Sequence, residues 1–151
     1  MMQLSQKERM MLEDQKSHEE MCIQKYTEYA NKAQDPQLKQ LFTYHADQER
    51  QHLNTINQIL SGQIPNMQQQ SAQSNAPIVF DQSPSYNPED IKFCKDLLMT
   101  EKYVSSGYNT TIFECTDTNI RKALNHIQKE EQEHGEHIFN YMKSKNAYPV
   151  Q

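Results

Sequence analysis

Two short stretches carry residue types able to do chemistry together. Glu49 and His52 stand three apart, and so do Glu131 and His134. On a helix that spacing puts a carboxylate and an imidazole on one face, one turn apart. Carboxylate and imidazole are the ligand types that first-row divalent metals take. A lone Glu-x-x-His is usually a solvated surface pair. Here it occurs twice, at one offset of 82 residues.

The same offset lays the whole first half on the second without a gap. Between Met11–Leu60 and Phe93–Met142 only seven positions are identical. They are Asp14, Glu19, Tyr26, Asp35, Glu49, His52 and Ile56, with their partners. Three of these are candidate metal ligands, so the divergence has spared chemistry more than packing. Glu19 and its partner Glu101 therefore join the two Glu-x-x-His pairs.

These residues must be positioned by helices. Apolar residues recur at helical spacing in four segments. The expected helices cover 5–33, 36–61, 88–115 and 118–144. Ser5 and Glu8 have capping-box spacing. Asp35-Pro36 and Asn87-Pro88 each supply an N-cap followed by a first-turn proline. Gly62 is a stop. In each stripe the ionisable residues interrupt an otherwise apolar face. The chain reads as one domain over 1–151, with hairpin repeats 4–61 and 88–144. The crossover 62–87 includes the polar low-complexity run Met67–Asn75 and Pro65, Pro77 and Pro84, which break any helix. Its 26 residues span at most about 90 Å, ample for the length of a bundle. Ile78-Val79-Phe80 is a short extended patch suited to lie on the helices. The tail 145–151 is expected to be loosely held.

Level partners follow from the turns. Glu19 and Glu49 are equidistant from the turn at Ala33–Pro36, and Glu101 and Glu131 from the turn at Cys115–Thr118. Each hairpin thus brings its two glutamates to one height. Four carboxylates in an apolar interior repel each other and are costly to desolvate; two divalent cations would neutralise them. The arrangement is similar to that of ferritin-like dimetal proteins, with one Glu from each of two helices and Glu-x-x-His from each of the other two. Position by position the resemblance makes Glu19, Glu49, His52, Glu101, Glu131 and His134 the ligands of two divalent ions. Iron or manganese is expected, with zinc as a further candidate. Ligands of one pair require the carboxylates of Glu19 and Glu131 within about 10 Å.

Tyr26 and Tyr108 lie two turns from Glu19 and Glu101 and read as core tyrosines bonded to a carboxylate. His45 faces inward, but its partner is Ile127, which speaks against a symmetric ligand role. His18, His126 and His137 are expected toward solvent. Glu130, Glu133 and Glu136 read as an acidic solvated face, with Glu130 at the core's border. Cys22, Cys94 and Cys115 form no C-x-x-C and read as small buried hydrophobes in a reduced compartment.

Composition agrees with narrow-striped helices. Hydrophobic residues are 35%, glycine numbers only 3 and tryptophan is absent. The net charge of −5 gives no electrostatic case for nucleic acid, and no basic cluster suits an anionic membrane. No apolar run approaches a membrane span, and the start is polar after Met1-Met2, so neither signal peptide nor anchor is expected.

The second half also resembles a known family. The stretches Glu101-Lys102-Tyr103-Val104-Ser105-Ser106-Gly107-Tyr108-Asn109, Ile112-Phe113-Glu114-Cys115, Ile120-Arg121, Glu130-Glu131-Gln132-Glu133-His134 and Ile138-Phe139 are similar to the spore coat F domain of endospore-forming bacteria. That family usually closes with Gly-Trp-Tyr, where this chain has Asn146-Ala147-Tyr148. The first half looks like a second, weaker copy. The resemblance implies an all-α, ferritin-like four-helix bundle made in the cytoplasm and placed in the spore coat. It implies other spore coat proteins as partners, with self-association as a homo-oligomer also expected, and it implies no reaction. The competing expectation is a dimetal oxidoreductase of manganese-catalase-like or rubrerythrin-like type. No four-cysteine rubredoxin-like module is present to relay electrons.

Overall fold

The computed structural model describes residues 3–66, 78–82 and 85–148. Four helices account for most of them: α1 (Gln6–Lys32), α2 (Pro36–Leu60), α3 (Pro88–Glu114) and α4 (Thr118–Ser144). There is no strand among the described residues. The expected boundaries hold to within a residue, because the capping chemistry is explicit in the sequence. Ser5 and Glu8 form the reciprocal capping box. Asp35, Asn87 and Asp117 each accept from backbone N–H groups of the first turn they open. Gly62 ends α2 with φ 90°, a conformation that costs glycine little.

The helices pack as a bundle with α1 beside α2 and α3, and α4 beside α3 and α2. Hydrogen bonds fix the directions. The Asp90 carboxylate, at the start of α3, accepts from the N–H groups of Gln34 and Asp35 in the first turn, at 2.9 and 3.0 Å. The Glu8 carboxylate, at the start of α1, accepts from Thr116 N–H in the second turn, at 3.1 Å. Each hairpin's first helix therefore begins where the other hairpin turns. It follows that α1 runs antiparallel to α3, and α2 antiparallel to α4. Glu8 and Asp90 are themselves related by the 82-residue offset, so the two clamps are symmetric copies.

The crossover must then carry the chain from one end of the bundle to the other. Its low-complexity run 67–75, with Pro77 and Pro84, lies outside the described residues. By Phe80 it has reached the far end, where the ring is buried edge-on against Tyr141 at 5.2 Å. The expectation that 78–80 lies on the helices holds for Phe80, while Val79 faces outward at 83% exposure.

The core follows the predicted stripes: Leu12, Tyr26, Phe42, Ile56, Leu97, Tyr108, Leu124 and Ile138 are all fully buried. Cys22, Cys94 and Cys115 are free and buried, as expected of small hydrophobes. At Gly107 a Cβ would meet the end of the Gln15 side chain, so a larger residue there requires that amide to move.

One expectation is corrected. The tail is not loose up to Tyr148. Lys145 is 5% exposed, donating to the Asp81 carbonyl at 2.9 Å, and Tyr148 packs edge-on against Phe139. The lysine is held because the crossover supplies a carbonyl just where α4 ends. Residues 149–151 lie outside the described residues.

Candidate metal centre

Each helix contributes one glutamate at mid-height, and α2 and α4 add a histidine one turn on. Glu19, Glu49, His52, Glu131 and His134 are at most 2% exposed, and so is Glu101. The structure brings all six together in two overlapping groups. Glu19, Glu49, His52 and Glu131 form one; Glu49, Glu101, Glu131 and His134 form the other. Within each group the nearest ligand atoms all lie within 4.8 Å of one another. Glu19 and Glu131 thus fall well inside the separation a metal pair requires. Glu49 and Glu131 belong to both groups, so each is placed to bridge.

The distances show how tight the cluster is. His52 Nδ1 is 2.8 Å from Glu131 Oε1, 3.0 Å from Glu49 Oε1 and 3.7 Å from Glu19 Oε2. His134 Nδ1 is 3.3 Å from Glu101 Oε1 and 3.4 Å from Glu49 Oε1. Both imidazoles turn Nδ1 inward and Nε2 outward. The tyrosines serve the glutamates of the opposite hairpin. Tyr26 donates to Glu101 Oε1 at 2.6 Å, and Tyr108 to Glu19 Oε1 at 2.5 Å.

Hydrogen bonds nevertheless fail to satisfy the cluster. Glu19 Oε2, Glu101 Oε2, His52 Nδ1 and all four carboxylate oxygens of Glu49 and Glu131 are buried without a hydrogen-bond partner. So many inward lone pairs lacking donors call for protons or cations among them. The ionisation states point the same way. Burial, reinforced by the neighbouring Glu49 charge, pushes Glu19 up to about 7. Burial and the charges of Glu101, Glu49 and Glu19 push Glu131 well above the carboxylate range. Glu49 is also opposed by burial, but the adjacent His52 imidazole outweighs that and holds it at about 2. Burial disfavours the charged imidazoles, yet the surrounding carboxylates win and raise His52 and His134. A buried, converging set of carboxylate and imidazole donors fits a pair of divalent ions.

Around this set lies a ring of groups that spacing alone left mostly unassigned. Glu130 is 9% exposed, and its Oε1 is 2.8 Å from His52 Nε2. Gln48 Oε1 is 2.5 Å from His134 Nε2. The border position expected for Glu130 therefore sets it against a candidate ligand, His52. The repeat offset was the available signal for both residues, because it aligns Gln48 with Glu130, each just before a candidate ligand.

The outer histidines depart from expectation. His137 is not simply solvated: its Nδ1 lies 3.1 Å from Nε2 of buried His45, and the rings stack at 5.3 Å. His45 in turn stacks on His134 at 4.2 Å, inward as expected and in neither ligand group. His126 is partly covered, with Nε2 3.4 Å from Glu130. His18 packs edge-on to Tyr103 at 5.2 Å. His18 and His137 sit at seams between helices, and all three rings are partly covered while one edge stays wet.

Between α3 and α4 a surface cleft lined by Leu98, Ser105, Gly135 and others reaches Glu101 and Glu131. Among the described residues no helix is long and apolar enough to cross a membrane. No curated protein and no solved structure matches the chain. Residues 89–151, which hold nearly all of α3, all of α4 and half of the six-residue cluster, match the Coat F domain.

Proposed function

We propose that the protein is a component of the spore coat of endospore-forming bacteria, built as a ferritin-like bundle whose two divalent ions stabilise it. The observation that carries the coat reading is the Coat F match over 89–151. The ligand roles of Glu19, Glu49, His52, Glu101, Glu131 and His134 are supported by their convergence and by the buried oxygens that lack donors. Other coat proteins are the partners in this reading. The exposed Met21, Met99 and Tyr103, adjacent on α1 and α3, support such contacts. A fluorescent fusion followed through sporulation is expected to collect around the forespore and persist on the released spore. A fusion that stays dispersed in the mother cell would overturn the coat reading. Metal analysis of protein purified without chelator tests the site, with two ions per chain expected.

The surface cleft between α3 and α4, lined in part by Glu101 and Glu131, supports a second reading, a dimetal oxidoreductase acting on peroxide or dioxygen. Bound manganese or iron supplies alternating oxidation states, so that peroxide disproportionation needs no outside reductant. The chain's own residues would fix the imidazoles, through Glu130 and Gln48, and exclude bulk water. Oxygen release from peroxide by manganese-loaded protein, lost in Glu131→Gln, together with a normal coat in spores lacking the protein, would make this reading the better one.

A further inference from the structure

The two halves of the centre match each other in every ligand and differ just outside them. Gln48 and Glu130 stand 82 residues apart, the offset that relates the hairpins. Each precedes the glutamate of its own Glu-x-x-His and faces the outward nitrogen of the other hairpin's histidine. Gln48 Oε1 lies against His134 Nε2, at 2.5 Å, and Glu130 Oε1 against His52 Nε2, at 2.8 Å. One acceptor is a neutral amide and the other a carboxylate. The Gln48 amide also donates to Glu130 Oε2 at 3.4 Å, which fixes its oxygen toward His134.

The ligands themselves give no preference. Each group shares Glu49 and Glu131 and adds one glutamate and one histidine of its own. An imidazole that offers Nδ1 to a cation carries its hydrogen on Nε2 and must donate it. A carboxylate acceptor makes that imidazole the stronger donor to the metal, and it adds a full negative charge beside one position only.

We propose, resting on the metal reading above, that the two positions are inequivalent: the first divalent ion occupies the Glu19, Glu49, His52, Glu131 position, the second the Glu49, Glu101, Glu131, His134 position, and Glu130 sets the order. At this outer pair, in direct contact with the two ligand histidines, the offset that duplicated the ligands gives two different acceptors. The difference turns a symmetric site into one that fills stepwise.

The test titrates metal-free full-length protein with zinc and counts bound ions by native mass spectrometry. Wild type is expected to accumulate a one-ion form, its two steps separated by about ten- to a hundredfold. His134→Ala should retain the first step and His52→Ala should lose it. Glu130→Gln, which places at 130 the residue type already present at 48, should bring the two steps together. The swapped double variant Gln48→Glu with Glu130→Gln preserves total charge and should reverse which histidine the first step needs. Two steps that stay separated in Glu130→Gln, or an order unmoved by the swap, would overturn the inference while leaving the metal reading standing. Wild type that takes up no zinc, manganese or iron would instead remove the metal reading, and this inference with it.

Discussion

Tyr108 on α3 donates its phenolic hydrogen to Glu19 on α1 at 2.5 Å. The symmetric bond, from Tyr26 on α1 to Glu101 on α3, measures 2.6 Å. Each hairpin therefore supplies the donor for the glutamate on the other hairpin's first helix, and both bonds are fully enclosed. Replacing either tyrosine by phenylalanine keeps the ring and removes a donor from a buried carboxylate oxygen. Tyr26→Phe and Tyr108→Phe are each expected to cost about 1–3 kcal/mol in metal-free protein, by denaturant unfolding. Equal losses would reflect the symmetry; no loss in either would mean the glutamates find other donors.

The end clamps allow an independent check on the topology. Asp90→Ala and Glu8→Ala each strip acceptors from backbone N–H groups in the opposite turn. Each should cost about 1–3 kcal/mol. The two clamps sit at opposite ends of helices about 40 Å long, so the losses should add in the double variant. Strong non-additivity, measured by the same unfolding experiment, would mean that the hairpins do not hold each other at both ends.

The sequence made the helices and the six-residue centre legible for a common reason. Caps, prolines and stripe periodicity are local, and the repeat offset supplied the level at which the glutamates meet. What stayed hidden depends on partners from another hairpin. Nothing local to Glu8 or Asp90 marks them as clamps on a distant turn. Glu8 was readable only as half of a capping box with Ser5. Lys145 looks like a solvated tail residue until the crossover places the Asp81 carbonyl beside it. His137 follows His134 by three positions, yet only the packing of α2 on α4 shows that its ring meets His45.

Acid should stabilise the metal-free protein before it weakens it. Glu19 and Glu131 have raised pKa values in the folded chain, and so do His52 and His134. For all four the folded state binds more protons than the unfolded state, so stability rises as pH falls through the folded pKa values. His45 and His137 act oppositely. Burial lowers them, so below about 6.5 the unfolded chain takes up protons that they refuse. The expected profile rises as pH falls from about 8 to about 6.5 and then flattens. Glu49 and Glu130, both lowered, weaken the fold only in stronger acid. Denaturant unfolding in chelator across this range checks the sign; stability that falls between pH 8 and 6.5 would mean the carboxylates are hydrated and ordinary.

The shared glutamates should show a change of sign that no structural role can imitate. Glu131 faces both ligand groups, and in metal-free protein burial, together with repulsion from the neighbouring carboxylates, raises its pKa. Removing its charge relieves that repulsion. Glu131→Gln should therefore melt higher than wild type in chelator at pH 8, where the cost of an ionised Glu131 is largest. With divalent metal the ranking should invert. Wild type gains stability by mass action, about 2.7 kcal/mol when free metal is a hundredfold above Kd. The variant loses a ligand common to both positions and gains far less. Glu19→Gln and Glu101→Gln each touch one group only and should keep one ion, which separates bridging from terminal roles by metal content alone. Melting curves of the three variants, with chelator and with zinc or manganese, contain the whole comparison. A Glu131→Gln protein that melts lower than wild type under both conditions would assign that side chain to hydrogen bonding within the fold.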